Sequence, residues 1–174
     1  MGGDTVLSPR RVLREYRAHC IEGALLAACA FALQGRRPLL LDLTSARRDD
    51  DHVVALFQEQ GRWGAVSKTN HAVLRYREPV YRTVGELAMS YFHEYFLDDG
   101  RKTLRSYSRP VDLSRFYRRG WMVDEDSLWY IVDALNDAPH TDILHTGQGN
   151  ALRRADRIEI EAGKLTQWKS SKKK

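Results

Sequence analysis

The sequence predicts an α+β fold in which a cysteine-bearing helix packs on a mostly antiparallel sheet. Two observations support this class. Helix-like apolar segments come first in the chain, and short β-branched segments separated by turn residues follow them. Further helix-like and strand-like segments continue toward the C-terminus. With 174 residues, of which 43% are hydrophobic, the chain is long enough to bury a core, and we expect one domain over residues 1–168.

The N-terminal part of the chain predicts two helices. Ser8 suits the N-cap position and Pro9 the first helical position, so residues 10–17 are expected to form the first helix. The second helix is apolar, begins at Cys20 and ends at Gly35, a residue typical of helix C-terminal ends.

Strands are predicted after the second helix. The expected segments are a buried strand at 39–43, a polar loop at 44–51, a strand at 52–58, a turn at 59–62, a return strand at 63–67 and an extended segment at 71–76. Because residues 52–58 and 63–67 would form a hairpin, His52 is expected opposite the region from Ser67 to Asn70.

The second half of the chain predicts more helix and a last hairpin. Thr83 and Glu86 resemble a capping box ahead of a helix at 87–96, and Asp124 can cap a helix at 125–135. Residues 157–161 and 165–168 are expected to pair as a final hairpin.

The basic character of the chain lies partly in its C-terminal tail. The formal net charge is +5, and residues 169–174 contain four lysines without which the chain is close to neutral. We interpret 169–174 as a disordered basic tail, and we do not expect a nucleic acid as partner.

Membrane and export features are not evident in the sequence. No apolar run approaches the roughly 20 residues of a membrane span. The N-terminus lacks the charged-then-apolar layout of a secretory signal. We therefore expect a cytoplasmic protein of bacterial type with no membrane partner.

The two cysteines differ in their sequence context. Cys20 and Cys29 lie nine positions apart on one predicted helix, which places them on opposite faces and excludes a disulfide between them. Cys29, among alanines, is expected to be a small core residue. Cys20 stands where the helix begins, where unpaired N–H groups and the helix dipole favour a thiolate. We predict Cys20 as a nucleophile, with its own backbone N–H as an oxyanion donor.

A histidine and a third polar residue complete the predicted catalytic group. His52 begins a buried strand that would hold it firmly, and it is the predicted general base, with His71 as a rival. The third residue would orient the imidazole, and Asn70 is our choice. Ser67 and Asp42 are the alternatives for that role.

The positions of Cys20, His52 and Trp63 resemble the transglutaminase-like branch of the papain-like cysteine superfamily, over about residues 14–76. The resemblance implies a Cys-bearing helix packed on an antiparallel sheet, and acyl transfer through a thioester with water or an amine as acceptor. Where the strand in that family carries an aspartate, this sequence has Ser67.

Polar and aromatic residues after the strand at 52–58 are candidates for substrate binding. We expect Trp63, Ser67, His71, Arg75 and Tyr76 to line a cleft for the substrate. The run Asp49-Asp50-Asp51-His52 could supply metal ligands, but adjacent aspartates are more typical of a solvated loop, so we expect neither a metal nor another cofactor. The segment 147–150 has two glycines without a strand-to-helix context and is expected to be a turn.

Two functional hypotheses follow from these residues. The first is a cysteine-dependent acyltransferase or hydrolase that acts on a peptide, amide or ester through Cys20 and His52. The alternative is a catalytically inactive module of the same fold that binds a peptide or a partner protein.

Overall fold

The computed structural model describes residues 5–168, so the predicted tail at 169–174 lies outside the described residues. Within residues 5–168 the fold is α+β, with one seven-stranded sheet whose pairings are all antiparallel. In the same range no single helix is long and apolar enough to cross a membrane, and the first two helices pass that test only as a pair bent by 114°.

The strands are β1 (Leu39–Ser45), β2 (His52–Glu59), β3 (Arg62–Val66), β4 (Arg77–Tyr81), β5 (Leu104–Ser108), β6 (Val111–Asp112) and β7 (His140–Asp142). Their spatial order is β4-β3-β2-β1-β5-β7, and β6 pairs with β1 beside β5. The strands β1 and β2 therefore lie at the centre of the sheet, and both begin or end near the candidate site.

The α-helices are α1 (Pro9–Glu15), α2 (Cys20–Leu33), α3 (Val84–Ser90), α4 (Trp129–Asn136) and α5 (Arg157–Gly163). Short 3-10 turns occupy Phe92–Glu94, Leu113–Arg119 and Gln148–Ala151. The predicted starts of the first two helices are confirmed: Ser8 caps α1, and α2 begins at Cys20.

The core has two halves, one on each face of the sheet. On one face α2 and α4 pack against Leu40, Val53 and Ala55, and on the other α3 packs against Leu41 and Val54. Side chains alternate between faces along a strand, and residues paired across strands share a face. This alternation decides which side of the sheet each candidate residue occupies.

Glu22 and Gly23 determine how α2 packs against its neighbours. The buried Glu22 carboxylate accepts hydrogen bonds from the backbone N–H groups of Leu7 (2.9 Å) and His19 (2.7 Å), so it ties the start of α2 to the N-terminal segment. Gly23 allows the chain after β3 to approach, because a Cβ at position 23 would lie 2.3 Å from the Cβ of Lys68. A larger residue at 23 would push the segment that carries Ser67 away from α2.

Three predicted elements in the first half of the chain differ in extent. The predicted first helix ends at Glu15, because Tyr16 adopts a left-handed conformation. The extended segment at 71–76 is not a strand: Leu74 is left-handed there, with φ of 58°, and the next strand is β4. The helix expected at 87–96 ends at Ser90 and continues only as a 3-10 turn.

Two predictions in the second half are also corrected. The helix expected to begin at 125 begins at Trp129, because the Leu128 N–H donates to the Val6 carbonyl at 2.9 Å and the Asp124 carbonyl accepts from the Ser8 hydroxyl at 2.6 Å. The predicted hairpin arm at 157–161 is the helix α5. Its Ile-Glu alternation imitates a strand, but Asp156 and Glu159 form a capping box, with 2.6 Å from the Asp156 N–H to the Glu159 carboxylate.

Candidate functional site

Cys20 is the first residue of α2 and lies where that helix meets the end of the central strands. Its thiol is half-buried and donates to the backbone carbonyl of Asp51, with 3.9 Å between sulfur and oxygen. Cys29 lies further along the same helix, and both cysteines are free, as the helical spacing predicts.

The ionisation of Cys20 differs from the expectation. Burial is the dominant effect and raises the pKa of the thiol, and the nearby Asp42 raises the pKa further. The backbone N–H groups of Val53, Ile21 and Cys20 act in the opposite direction but are outweighed. The expected thiolate at the helix start is therefore not favoured, and Cys20 rests as a thiol.

His52 is the first residue of β2, and its side chain is 7% exposed. Its Nε2 lies 2.6 Å from Ser67 Oγ, and that hydroxyl lies 2.6 Å from the carbonyl oxygen of Leu74. A carbonyl only accepts, so the single hydroxyl proton of Ser67 is donated to Leu74. Ser67 must then accept from the imidazole, which assigns the proton to Nε2 and leaves the basic lone pair on Nδ1.

The buried position also controls the charge of His52. Burial, together with the positive charge of Lys68, lowers the pKa of the imidazole to about 4. His52 is therefore neutral at physiological pH. This is the form in which its Nδ1 can accept a proton.

Ser67, and not Asn70, contacts His52. The strand pairing explains this: Ala55 pairs with Val66 on the α2 face, so Ser67, the next residue, points to the opposite face, where His52 also lies. Asn70 is beyond the end of β3, and its amide makes two 3.0 Å hydrogen bonds with the backbone of Trp168.

Asp42, the other alternative for the third residue, belongs to the opposite face. It pairs with Val53 in the sheet, and its carboxylate accepts from Thr44 at 2.9 Å and lies 3.3 Å from Nε2 of His140. Burial raises the pKa of this carboxyl. Asp42 influences Cys20 electrostatically, whereas Ser67 is the partner of His52.

Cys20 and His52 line the same cavity, which has a volume of about 300 Å³. Much of its remaining wall comes from residues that sequence reasoning did not assign, namely Leu74, Glu94, Tyr95, Phe96, Ile160 and Gly163. The C-terminal half of the chain therefore forms part of this cavity. No local pattern predicts these contacts, because the residues lie about 50 to 140 positions after Cys20 in the chain.

Glu94 and Tyr95 hold two loops of this cavity in place. The Glu94 carboxylate accepts from the Leu74 N–H at 2.7 Å and pairs with Arg77 at 2.8 Å. The Tyr95 hydroxyl donates to the carbonyl of Asp50. Glu94 thus positions Leu74, whose carbonyl orients the Ser67 hydroxyl, and Ser67 in turn contacts His52.

A second, largely apolar cavity of about 230 Å³ borders Cys20 on the α2 face. Its apolar lining includes Ile21, Val53, Val132 and Leu135. Cys20 therefore lines two cavities, one that contains His52 and one that is largely apolar.

The predicted binding residues are dispersed by the fold. His71 lines the His52 cavity, and its Nδ1 lies 2.9 Å from the carbonyl of Gly163. Trp63 pairs with Gln58 near the far end of β2, about 20 Å along the strand from His52. Tyr76 stacks on Phe57, with 5.9 Å between ring centroids.

Arg75 is exposed, and its Nε donates to the His71 carbonyl at 2.8 Å. Of the five predicted binding residues, His71 thus lines the cavity that contains Cys20 and His52, and Ser67 contacts His52. Arg75 supports the loop at His71, while Trp63 and Tyr76 pack elsewhere on the sheet.

The aspartate run has structural contacts. Asp49 accepts from the Thr103 hydroxyl, and Asp51 accepts from the Ser45 N–H at 2.6 Å. Within residues 5–168 no group of three or more His, Cys, Asp or Glu side chains is placed to hold a metal ion. These aspartates organise the loop whose carbonyl groups contact Cys20 and Tyr95.

No model of a known protein family matches the chain, and a comparison with characterised proteins found no significant match.

Proposed function

We propose that this chain is a cysteine-dependent acyltransferase or hydrolase of the transglutaminase-like type, with Cys20 as nucleophile and His52 as general base. The observation that carries the proposal is the hydrogen-bonded chain from His52 through Ser67 to Leu74. These two hydrogen bonds fix the tautomer of His52 and orient its ring in the cavity that Cys20 also lines.

The proposed reaction begins from a neutral pair. Cys20 Sγ attacks the carbonyl carbon of an amide or ester while its proton passes to Nδ1 of His52. The oxyanion that forms is stabilised by the backbone N–H of Cys20 at the start of α2. When the tetrahedral intermediate collapses, the bond to the leaving group breaks and Nδ1 returns the proton to the departing amine or alcohol.

A thioester on Cys20 then remains. Water or an amine attacks this thioester with His52 again accepting the proton, and the thiol is released as leaving group. Ser67 takes the orienting role that an aspartate has in the transglutaminase-like family that the sequence resembles. A hydroxyl is uncharged, so it fixes the direction of the imidazole without stabilising an imidazolium as a carboxylate would.

The alternative is a non-catalytic module that binds a peptide or a partner protein at the same cavity. The charge state of the two residues favours this alternative, because burial raises the pKa of the Cys20 thiol and lowers that of His52 to about 4. Neither partner is then ionised at neutral pH, in contrast to a preformed thiolate–imidazolium pair.

An activated ester separates the two functions. We expect p-nitrophenyl acetate to acetylate Cys20 selectively, detected as one acetyl group by intact mass and located by peptide mapping. Cys20→Ser should abolish this adduct, and His52→Ala should slow it by about 100-fold or more, the usual contribution of a general base. Ser67→Ala should give a smaller loss, because the base is retained but less well oriented.

Cys29→Ser is the matched control, since it removes the other free thiol of the described chain and should leave the rate unchanged. The rate should not fall between pH 7 and pH 5 through protonation of His52, because that residue stays neutral to about pH 4. Acetylation of Cys20 that is no faster than that of Cys29, or that His52→Ala leaves intact, would favour the binding module.

A further inference from the structure

A third cavity, which shares no lining residue with the one containing Cys20 and His52, is lined by basic side chains. Its volume is about 630 Å³, and it lies beside β5 and β7. Four cationic residues line it, together with one carboxylate in the described chain, Asp142; the four are Arg101, Lys102, Arg105 and Arg154. The turn containing Gly147 and Gly149 forms another part of the wall.

Two of the four cations are already neutralised by carboxylates. The Arg101 guanidinium pairs with Asp99 at 2.7 Å. The buried Lys102 ammonium lies 3.7 Å from the Glu159 carboxylate and donates to the carbonyl of His93 at 2.7 Å. These two side chains shape the cavity, but most of their charge is satisfied within the protein.

Arg105 is held in place without being neutralised. It is half-buried on β5, and its Nη1 donates to the backbone carbonyls of Lys102 (3.1 Å) and Leu104 (3.0 Å). No carboxylate within residues 5–168 forms an ion pair with it at 4 Å or less. Neutral carbonyl groups fix the guanidinium and leave its positive charge available to a ligand.

The other edge of the Arg105 guanidinium faces the glycine turn. Its Nη2 lies 3.7 Å from the position that a Cβ of residue 149 would occupy. Glycine at 149 therefore keeps the space next to this nitrogen open.

Arg154 is exposed and less firmly held than Arg105, and its charge contributes to lowering the pKa of the Asp99 carboxyl. Its Nη1 donates to the backbone carbonyl of Asp99 at 3.4 Å, and it too has no carboxylate ion pair among the described residues. The adjacent Ala155 N–H binds the carbonyl of Gly100 at 2.8 Å. Gly100 has a φ of 82°, and a Cβ there would lie 2.9 Å from the Ala155 carbonyl, so glycine permits the contact that places Arg154 at this cavity.

We propose that this cavity binds a small phosphate-bearing ligand, with Arg105 and Arg154 as its main contacts. Two guanidinium groups that form no ion pair with a described carboxylate at 4 Å or less suit a multiply charged oxyanion, because each can donate two parallel hydrogen bonds to it. The volume also lies within the roughly 300–1,000 Å³ typical of small-molecule sites, which leaves room for an organic group attached to the phosphate.

Titration of the full chain with inorganic pyrophosphate, followed by calorimetry at constant ionic strength set with sodium chloride, tests this assignment. Arg105→Gln and Arg154→Gln should each raise the Kd by about tenfold or more, the loss expected for a charge-assisted contact. Gly149→Glu should also abolish binding, because it places a carboxylate beside Arg105. Arg115→Gln is the control and should leave the Kd unchanged, since that guanidinium stacks on Phe116 outside this cavity.

Citrate provides the comparison with a carboxylate ligand, and thermal unfolding verifies that each variant is folded. Saturable pyrophosphate binding that is stronger than citrate binding and is lost in the Arg105 and Arg154 variants supports the proposal. Binding no stronger than that of chloride, an equal or higher affinity for citrate, or binding that survives both arginine substitutions would overturn it.

Discussion

At the residue scale, the state of His52 depends on its burial and on one hydroxyl. Ser67 accepts the Nε2 proton, and burial lowers the pKa of the imidazole to about 4. The neutral tautomer is therefore the resting state, with Nδ1 as the basic nitrogen. The same burial raises the pKa of the Cys20 thiol, so desolvation outweighs the helix N-terminus at this site.

The pKa of His52 makes the stability of the protein depend on pH. Its folded-state pKa of about 4 is below the ordinary value of 6.5, so the unfolded chain takes up this proton first as the pH falls. The stability contributed by neutral His52 is fully present above about pH 6.5 and is lost by about pH 4, a change of about 3 kcal/mol. We expect His52→Gln to lack this dependence.

Urea unfolding of the wild type and of His52→Gln at pH 7.5, 6.5, 5.5 and 4.5 measures this pH dependence of stability. As the pH decreases, the free energy of unfolding of the wild type should fall relative to that of His52→Gln. The exposed His93 provides a control, since His93→Gln should leave the wild-type dependence in place. Parallel curves for wild type and His52→Gln would contradict the assigned pKa.

At the scale of secondary structure, the contact between α2 and the chain after β3 brings the candidate residues together. Gly23 in α2 leaves room for Lys68, which follows Ser67 directly. The sequence places a glycine inside an apolar helix, where it lowers helix propensity by about 1 kcal/mol relative to alanine. The close approach of Lys68 explains why glycine occupies this position.

We expect Gly23→Ala to destabilise the fold by about 1–2 kcal/mol, because a Cβ 2.3 Å from that of Lys68 introduces strain greater than the gain in helix propensity. Combining it with Lys68→Gly removes the clashing atoms and should recover the loss. Denaturant unfolding of the two single variants and the double variant gives the coupling energy. A neutral or stabilising Gly23→Ala would show that the two segments are not in contact in solution.

At the scale of the whole molecule, the C-terminal strap, residues 165–168, crosses the loop next to the candidate site. The Ala72 N–H donates to the Leu165 carbonyl at 2.9 Å, and the Gln167 N–H donates to the Asn70 carbonyl at 2.9 Å. The Asn70 amide completes the attachment through its two hydrogen bonds to the Trp168 backbone. The strap thus braces the loop that carries Thr69 and His71, two residues in the wall of the cavity that contains Cys20 and His52, and α5 contributes Ile160 and Gly163 to the same wall.

Loss of the Asn70 amide should loosen this attachment. We expect Asn70→Ala to increase hydrogen exchange in the C-terminal strap and to accelerate the reaction of Cys20 with N-ethylmaleimide, while costing about 1–2 kcal/mol for two hydrogen bonds. Asn150→Ala, at an exposed position on another loop, is the control. Unchanged exchange and an unchanged alkylation rate would show that the amide does not hold the strap.

Elements whose signals lie close together in the chain agree between sequence and structure. The starts of α1, α2 and β2 were predictable, because a cap, a proline and a β-branched run act locally. At 157–161 the alternation of isoleucine and glutamate predicted a strand, but a capping box and tertiary contacts produce the helix α5. Ser67 was foreseeable as a partner of His52 from strand alternation alone, since both positions point to the same face.

The sequence by itself determined the α+β class, the helix that begins at Cys20, the strand that begins at His52 and the separation of the two cysteines, since all of these depend on neighbours along the chain. Only the tertiary structure decided the ionisation of Cys20 and His52, the attachment of Asn70 to the strap, and the contribution of α5 to the cavity wall. Desolvation and long-range packing depend on segments that meet only after folding, and no local spacing encodes them.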